Sequence, residues 1–332
     1  MPIRFFANQQ GKLIEISTGL EKQTGWWNSI TGFDKDNDGD TDYIVGNFGT
    51  NLNMVASEKE PLSMYAKDLD NNGSIDPLIS RYWPDSLGVR KEYLYHPLQD
   101  VIGQFSGIRK QYNSFGEYGA ATASDIFSRL NMENVIKKQV VLMKSSWIEN
   151  LGSGQFKIHH LPLEAQMAPI YAAVTTDLNN DGLLDINLVG NDFGIEVQQG
   201  KADALNGLTL INQKGPSFTS VPFTKSGFYV PGDGKSLTSI PVKNVLYYLA
   251  GQNNDKLLAF RLNSEGNKMI PFLKYERYAI IYLKNGNKRK TESYFGHSFN
   301  SQSGNFIHVN TTMSKIEFYG KGGIKLRTWL NQ

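Results

Sequence analysis

The chain has 332 residues, more than one hydrophobic core usually serves, so two domains or one large repetitive β architecture are expected. Its 34 Lys and Arg residues nearly balance 32 Asp and Glu, and the net charge of +2 gives no electrostatic basis for binding nucleic acid or a membrane surface. The chain has no cysteine, which excludes disulfides and cysteine catalysis, and no apolar run near the roughly 18 residues of a membrane-spanning helix.

The N-terminal part of the chain combines a short alternating segment with a strongly acidic one. Residues 3–16 alternate loosely around a Gln9-Gln10-Gly11 turn, which predicts a β-hairpin. Residues 34–42 then read DKDNDGDTD and place five carboxylates in nine positions. Carboxylates at this density need a counter-charge, and a hard cation with oxygen ligands is the natural one.

This first acidic loop has the spacing of a calcium-binding loop, in which positions 1, 3, 5, 7 and 9 supply ligands and a glycine at position 6 permits the sharp turn. Gly39 is that glycine, and position 7 offers its backbone carbonyl. The predicted ligands are Asp34, Asp36, Asp38, Asp40 and Asp42.

The same pattern recurs in a second acidic loop, residues 68–76, and in a third, residues 177–185. The predicted ligands of the second loop are Asp68, Asp70, Asn72, Ser74 and Asp76. Those of the third loop are Asp177, Asn179, Asp181, Leu183 and Asp185. Asp, Asn and Gly are common in ordinary turns because they tolerate left-handed backbone. That would explain one such loop, but not three with the same spacing.

The loops are not EF-hands, because position 12 holds Val45, Ile79 or Leu188 instead of the bidentate Glu of that motif. A short apolar run follows each loop, which predicts that the loop joins two β-strands. We therefore predict that Ca²⁺ holds a β-hairpin together at each loop. Extracellular calcium modules bind at about 10⁻⁴–10⁻³ M, which favours a location outside the cell.

We interpret the remaining chain as further propeller blades with one insertion. The second loop begins 34 positions after the first (68 − 34), a spacing compatible with one propeller blade. Around residues 85–138 the apolar spacing becomes helical in places, notably Tyr118–Phe127 and Asn131–Val135, which predicts an inserted helical segment. From residue 264 onward, after a polar boundary at residues 263–267, short strands and an Asn-Gly turn predict a separate small β domain.

Two glycine-led segments that follow acidic loops carry a family resemblance. With the loops, GNFG at 46–49 and GNDFG at 190–194 resemble FG-GAP or VCBS repeats, the calcium-loop blades of integrin-alpha-like β-propellers. Residues 145–152 and 161–169 are similar to the long VCBS-repeat proteins of Bacteroidetes-type bacteria. The tail around residues 292–303 is similar to the ASPIC/UnbV module that closes such proteins.

The resemblance implies an all-β fold. Residues 1–263 would form an FG-GAP/VCBS β-propeller region with the helical insertion around 85–138, and residues 264–332 an ASPIC/UnbV-like β domain. At roughly 40–50 residues per blade this region holds about four or five blades, so a ring of seven would be incomplete. Family members are longer and begin with an export or lipoprotein signal, so the chain would correspond to their C-terminal part, at an extracellular or outer-membrane surface.

The sequence favours a binding role over a catalytic one. It contains no H-E-x-x-H zinc motif, G-x-S-x-G nucleophile elbow or phosphate-binding loop. We therefore expect a calcium-binding, non-catalytic interaction or adhesion domain whose partner is a protein or glycan at the cell surface. The alternative is a carbohydrate-active propeller, either a polysaccharide lyase or a glycan-binding protein, in which aromatic residues such as Trp26, Trp27 and Trp83 would stack on sugars.

Overall fold

The computed structural model describes residues 1–196, 200–263 and 268–331. The chain is mostly β, with 42% strand and 10% helix, which confirms the predicted class at the level of secondary structure. The strands pair in several small antiparallel sheets. Among the described residues, no helix has the length and apolar character needed to cross a membrane.

The strands are short and follow one another closely along the chain. Strands β1 to β12 are β1 (Phe5–Gln9), β2 (Lys12–Ile16), β3 (Ser29–Phe33), β4 (Asp42–Gly46), β5 (Leu62–Lys67), β6 (Asp76–Pro84), β7 (Arg90–Leu94), β8 (Ile136–Val140), β9 (Ser146–Asn150), β10 (Phe156–His160), β11 (Ile170–Thr176) and β12 (Asp185–Gly190). Strands β13 to β23 are β13 (Leu208–Asn212), β14 (Phe218–Val221), β15 (Gly234–Val242), β16 (Val245–Gln252), β17 (Leu258–Arg261), β18 (Lys268–Pro271), β19 (Tyr278–Leu283), β20 (Lys288–Glu292), β21 (Phe306–Val309), β22 (Met313–Tyr319) and β23 (Lys325–Leu330). The α-helices are α1 (Leu98–Gln104), α2 (Phe115–Ala120), α3 (Ala123–Phe127) and α4 (Phe223–Ser226), and short 3₁₀ helices span Ser106–Lys110, Leu163–Gln166 and Lys321–Gly323.

The chain forms two compact units. Unit 1 comprises Met1–Ile3, Glu21–Trp26 and Asn53–Met143. Its sheet has the strand order β7-β6-β5-β8, and helices α1 to α3 lie within the predicted insertion, whose helical character is therefore confirmed. Leu78 of the sheet and Ile108 of the insertion are both 0% exposed and belong to one apolar core, so burial of apolar surface attaches the insertion to the sheet.

The insertion is more broken than its apolar spacing predicts. Thr122 separates α2 from α3 because it is the N-cap of α3. Its side-chain oxygen accepts a hydrogen bond from the Asp125 amide, and the Asp125 carboxylate accepts one from the Thr122 backbone amide. The helix predicted over Asn131–Val135 is wrong. The Asn131 side chain accepts from the Glu133 amide at 3.0 Å, and Asn134 has a left-handed φ of 59°, so this segment is a turn.

Unit 2 comprises Arg4–Leu20, Trp27–Leu52 and Lys144–Gln332. Its larger sheets have the strand orders β10-β9-β4-β3, β11-β12-β13-β14, β15-β16-β17 and β20-β19-β22-β23. Strands β1 and β2 pair with Gln9 opposite Lys12, which confirms the N-terminal hairpin. The described strands from β18 onward belong to this same unit. The predicted domain boundary falls on residues 264–267, which lie outside the described residues, and it stays a prediction.

A tail loop, residues 294–304, contacts three sheet edges of unit 2. Strands β3, β11 and β15 each lie at the edge of their sheet, where backbone amides lack a neighbouring strand. Serine hydroxyl oxygens of the tail loop accept from such amides on β11 and β15: Ser298 from Ala173 (3.0 Å), Ser301 from Leu237 (3.1 Å) and Ser303 from Ser239 (3.0 Å). The Ser298 amide donates to the Ile30 carbonyl of β3 at 2.8 Å. The tail loop therefore satisfies polar groups that packing would otherwise leave unpaired.

Candidate metal loops

Each acidic loop is the turn of an antiparallel β-hairpin, as predicted from the apolar runs around it. The loops join β3 to β4, β5 to β6, and β11 to β12. In all three, the aspartate at position 9 is the first residue of the outgoing strand and pairs with the last residue of the incoming one. A cation bound by positions 1 and 9 would therefore hold both strands of the hairpin.

The three loops share one backbone conformation. The residue at position 4 is an asparagine in the left-handed region, with φ of 62° at Asn37, 59° at Asn71 and 60° at Asn180. The glycine at position 6 has φ of 90° or more in each loop, a conformation that suits glycine. Position 4 was not among the predicted site residues, although the sequence carries a signal for it, since an asparagine recurs there in every copy.

The loops also share one hydrogen-bond pattern, in which side-chain oxygens accept from backbone amides of the same loop. The aspartate at position 1 accepts from the position 6 amide at 3.1, 2.8 and 3.0 Å in the first, second and third loops. The aspartate at position 9 accepts from the position 2 amide at 2.9, 2.8 and 2.8 Å. The amide of position 7 donates to the side chain of position 5 at 2.9, 2.8 and 2.8 Å. The sequence repeat is thus a repeat of structure.

The first loop concentrates negative charge, buried at Asp34 and Asp42 and exposed at Asp36 and Asp38. One carboxylate oxygen each from Asp34, Asp36 and Asp38 lie within 4.8 Å of one another. Asp34 is 1% exposed, and its Oδ1 has no hydrogen-bond partner among the described residues. Burial raises the pKa of Asp34 to about 6 and that of Asp42 to about 7, and burial followed by the charge of Asp38 raises the pKa of Asp40 to about 6. A cation in the loop would favour the ionised forms of these side chains.

The size of the first loop fits one calcium ion. Oxygens that bind the same Ca²⁺ at about 2.4 Å lie at most about 5 Å apart, which matches the observed cluster. Two carboxylate oxygens of the loop, Asp34 Oδ1 and Asp40 Oδ1, and the amide oxygen of Asn37 are buried and without a hydrogen-bond partner in the described part of the chain. An unpaired buried oxygen costs free energy, and at Asp34, a predicted side-chain ligand, coordination to a metal would recover it.

The second loop, in unit 1, gathers Asp68, Asp70 and Asp76 in the same way, with one oxygen of each within 4.8 Å of the others. Asp76 is 4% exposed, whereas Asp70 faces solvent. Asn72 holds the loop closed by accepting from the Ser74 amide. This loop therefore has the spacing for a cation, with three carboxylate ligands where the first loop offers four.

The third loop differs from the other two because a distant segment of the chain already contacts one of its predicted ligands. Oδ2 of Asp177 accepts from Asn310 Nδ2 at 2.7 Å, besides the position 6 amide. Asn179 donates to Oδ2 of Asp181 at 2.9 Å. With an amide at position 3, the described loop forms no group of three acidic side chains like those of the other loops. Burial raises the pKa of Asp185 to about 6.

Residues of the C-terminal sheet complete the surroundings of the first and third loops. The backbone amide of Lys290 donates to Asp34 Oδ2 at 2.8 Å. Arg289 is 3% exposed, and burial lowers its pKa while the nearby Asp177 and Asp34 oppose that shift. These partners could not be predicted from the sequence, because they lie more than a hundred positions from the loops they contact.

The chain matches no family model, and it has no significant match among curated proteins.

Proposed function

We propose that this protein is a calcium-binding, non-catalytic interaction domain of FG-GAP/VCBS propeller type that acts at a bacterial cell surface. The observation that carries the proposal is the buried Asp34 carboxylate, with one unpartnered oxygen, beside Asp36 and Asp38 in a loop whose geometry recurs twice. Calcium is favoured because every predicted ligand is an oxygen. Zinc and the later transition metals prefer His nitrogen or Cys sulfur, and the loops contain neither.

In the first loop, Asp34, Asp36, Asp38 and Asp42 would bind the ion through side chains and Asp40 through its backbone carbonyl. Bound calcium would neutralise carboxylates that otherwise repel one another. The chain's own residues hold the loop ready for it, because the position 6 and position 2 amides fix the carboxylates at positions 1 and 9. The ion's role in this proposal is to stabilise the hairpin, not to carry out a reaction.

The propeller assignment is supported by repetition of the hairpin in similar sheets. The hairpins β3–β4, β5–β6 and β11–β12 each belong to a four-stranded antiparallel sheet, the form of a propeller blade. The segments at 46–49 and 190–194 follow β4 and β12, where the FG-GAP resemblance expects them. On the same resemblance, we assign residues 264–332 to an ASPIC/UnbV-like module.

The surface location is supported by the weak affinity expected of such loops. Extracellular calcium modules bind at about 10⁻⁴–10⁻³ M, a range that suits the medium outside a cell. A domain of this kind displays loops from a rigid β framework, which suits binding of a protein or glycan partner.

The test is a calcium titration of the full chain, stripped with EGTA, by isothermal calorimetry. Asp36 faces solvent, so Asp36→Asn removes one charge from the first loop without burying a new group. We expect this variant to bind calcium more weakly than the parent chain. Asp203→Asn, on an exposed aspartate outside the loops, is the matched control and should leave binding unchanged. A parent chain that takes up no calcium would refute the proposal.

A further inference from the structure

A second polar site lies in unit 2, away from the acidic loops. It is an open pocket of about 510 Å³. Tyr171 of β11, Asp192 after β12 and Lys235 of β15 line it, together with Phe299 and Asn300 of the tail loop. The pocket shares no residue with the three loops, so calcium does not explain it.

The charged side chains of the pocket hold one another in place. Lys235 Nζ lies 2.9 Å from Asp233 Oδ1 and 3.4 Å from Asp192 Oδ1, and it donates to the Asn191 carbonyl at 3.0 Å. The same ammonium group sits 3.7 Å from the centre of the Tyr171 ring, a cation–π contact. The Tyr171 hydroxyl in turn donates to Asp192 Oδ2 at 2.6 Å. The lysine is therefore held by two carboxylates, a backbone carbonyl and an aromatic ring.

The walls of the pocket are built on unusual backbone. Asn191, Ser298 and Asn300 have left-handed φ values of 85°, 55° and 46°. Asn191 is 0% exposed, and Nδ2 of its amide donates to the carbonyls of Leu205 at 2.7 Å and Gly232 at 2.9 Å. Such conformations cost free energy and cluster where a protein positions functional groups. They lie beside Asp192 and within the tail loop, both of which line the pocket.

The remaining groups determine what the pocket suits. One lysine faces two aspartates, so the cluster has an excess of negative charge and does not favour an anion. Burial opposes ionisation of Asp192, but the bonds from Tyr171, Gly194 and Lys235 outweigh it and lower its pKa, so this carboxylate remains an acceptor. Asn300 adds an exposed amide, and Phe299 is 39% exposed with its ring 5.2 Å from that of Tyr171.

We infer that this pocket binds a neutral saccharide. Sugar hydroxyls would donate to the Asp192 carboxylate, and they would both donate to and accept from the Asn300 amide. The apolar face of a sugar ring would lie on the exposed face of Phe299, the kind of contact that an aromatic ring provides at low entropic cost. The inference goes beyond calcium binding and gives the proposed interaction domain a ligand class.

The experiment titrates the calcium-loaded full chain with a panel of cello-, manno-, xylo- and malto-oligosaccharides, followed by calorimetry and by saturation-transfer NMR. At least one member should bind. Phe299→Ala should weaken that binding by about tenfold, because it removes the stacking surface. Phe295→Ala, an 81% exposed phenylalanine in the same tail loop that does not line the pocket, is the matched control and should not change affinity.

Two results would overturn the inference. One is that no oligosaccharide of the panel binds. The other is that Phe299→Ala and Phe295→Ala bind equally well, which would leave the lysine cluster as a link between strands only. Calcium titration of the same samples separates this question from the proposed function. Calcium uptake without saccharide binding would count against the saccharide site alone, and saccharide binding without calcium uptake against the calcium loops alone.

Discussion

Arg289 donates a hydrogen bond from Nη1 to the backbone oxygen of Gly182 at 3.2 Å, so a buried cation of β20 contacts the third acidic loop. The same oxygen accepts from Nδ2 of Asn37, in the first acidic loop, at 3.1 Å. The two loops are thus neighbours in unit 2 and share a partner from the C-terminal sheet. We expect cation binding at either loop to change the stability of the other, because Arg289 lies beside acidic groups of both.

Replacing Arg289 by Met should lower the free energy of unfolding by about 3–5 kcal/mol, because it removes a buried charge from beside buried carboxylates. The loss should be larger in EGTA than in calcium, since calcium would neutralise the same carboxylates. Urea unfolding under both conditions measures it. Arg109→Met, at an exposed arginine of unit 1, should stay within about 0.5 kcal/mol of the parent. An equal loss with and without calcium would show that Arg289 acts on the fold and not on the loops.

In the metal-free protein, stability should fall as the pH rises from about 4 to about 7. The folded-state pKa values of Asp34 and Asp42 are about 6 and about 7, above the ordinary value of 3.8. Their protonated forms therefore favour the folded state at low pH, and this contribution is lost as the pH rises through the folded-state values. Saturating calcium should remove the trend by stabilising the ionised forms.

Melting temperatures measured from pH 4 to pH 8, with and without calcium, check this dependence. The calcium-free samples are stripped with EGTA at pH 8 and then exchanged into calcium-free buffer, because EGTA is protonated and binds calcium weakly at pH 5. Removal of calcium should lower the melting temperature more at pH 8 than at pH 5. A difference of the same size at both pH values would mean that these two carboxylates do not face the cation.

Asp185→Ala should reduce the calcium stoichiometry by one site, whereas Asp203→Ala should not. Asp185 is 0% exposed and accepts from the Leu178 amide at 2.8 Å and the Asn212 amide at 2.9 Å. Its removal also leaves two amides without an acceptor, at about 1–3 kcal/mol each. Calorimetry gives the stoichiometry, and circular dichroism at the same temperature verifies that the variant is folded. Equal stoichiometry for the two folded variants would count against the third loop as a site.

The first loop should fill before the others as calcium is added. It offers four side-chain carboxylates, whereas the second and third loops offer three each. In the third loop, Asp177 also already accepts from Asn310. Hydrogen exchange of the three hairpins during a calcium titration follows the order. Protection that appears first around Asp181 instead of Asp38 would show that rigidity of the loop, not its charge, sets affinity.

Gly190→Ala should destabilise the protein by about 3 kcal/mol or more, because the new Cβ would lie 2.0 Å from the Pro169 carbonyl oxygen. The backbone there cannot move aside without disturbing β11, which begins one residue later. Gly103→Ala is the matched control, since a Cβ in that helix meets nothing within 4 Å. It should be neutral or raise stability by up to about 1 kcal/mol. Thermal unfolding of both variants makes the comparison.

The acidic loops could be predicted from the sequence because their structure is local. The carboxylates of Asp34 and Asp42 cap amides five and seven positions away, so nine consecutive residues contain the whole pattern. The short apolar runs beside the loops predicted the hairpins for the same reason. The insertion was predictable as helical, but the break at Thr122 was not, because a capping box depends on two side chains that the apolar spacing ignores.

The sequence by itself therefore determined the β class, the three hairpins and the loop conformation, all of which depend on interactions within a few residues. Only the tertiary structure decided which loops are neighbours and what surrounds them. Lys290 lies 256 positions from Asp34, and Asn310 lies 133 positions from Asp177. Contacts over such separations arise from the packing of sheets and leave no periodic trace in the chain. The pocket proposed to bind a saccharide has the same origin, because Tyr171, Lys235 and Phe299 meet only when three distant segments fold together.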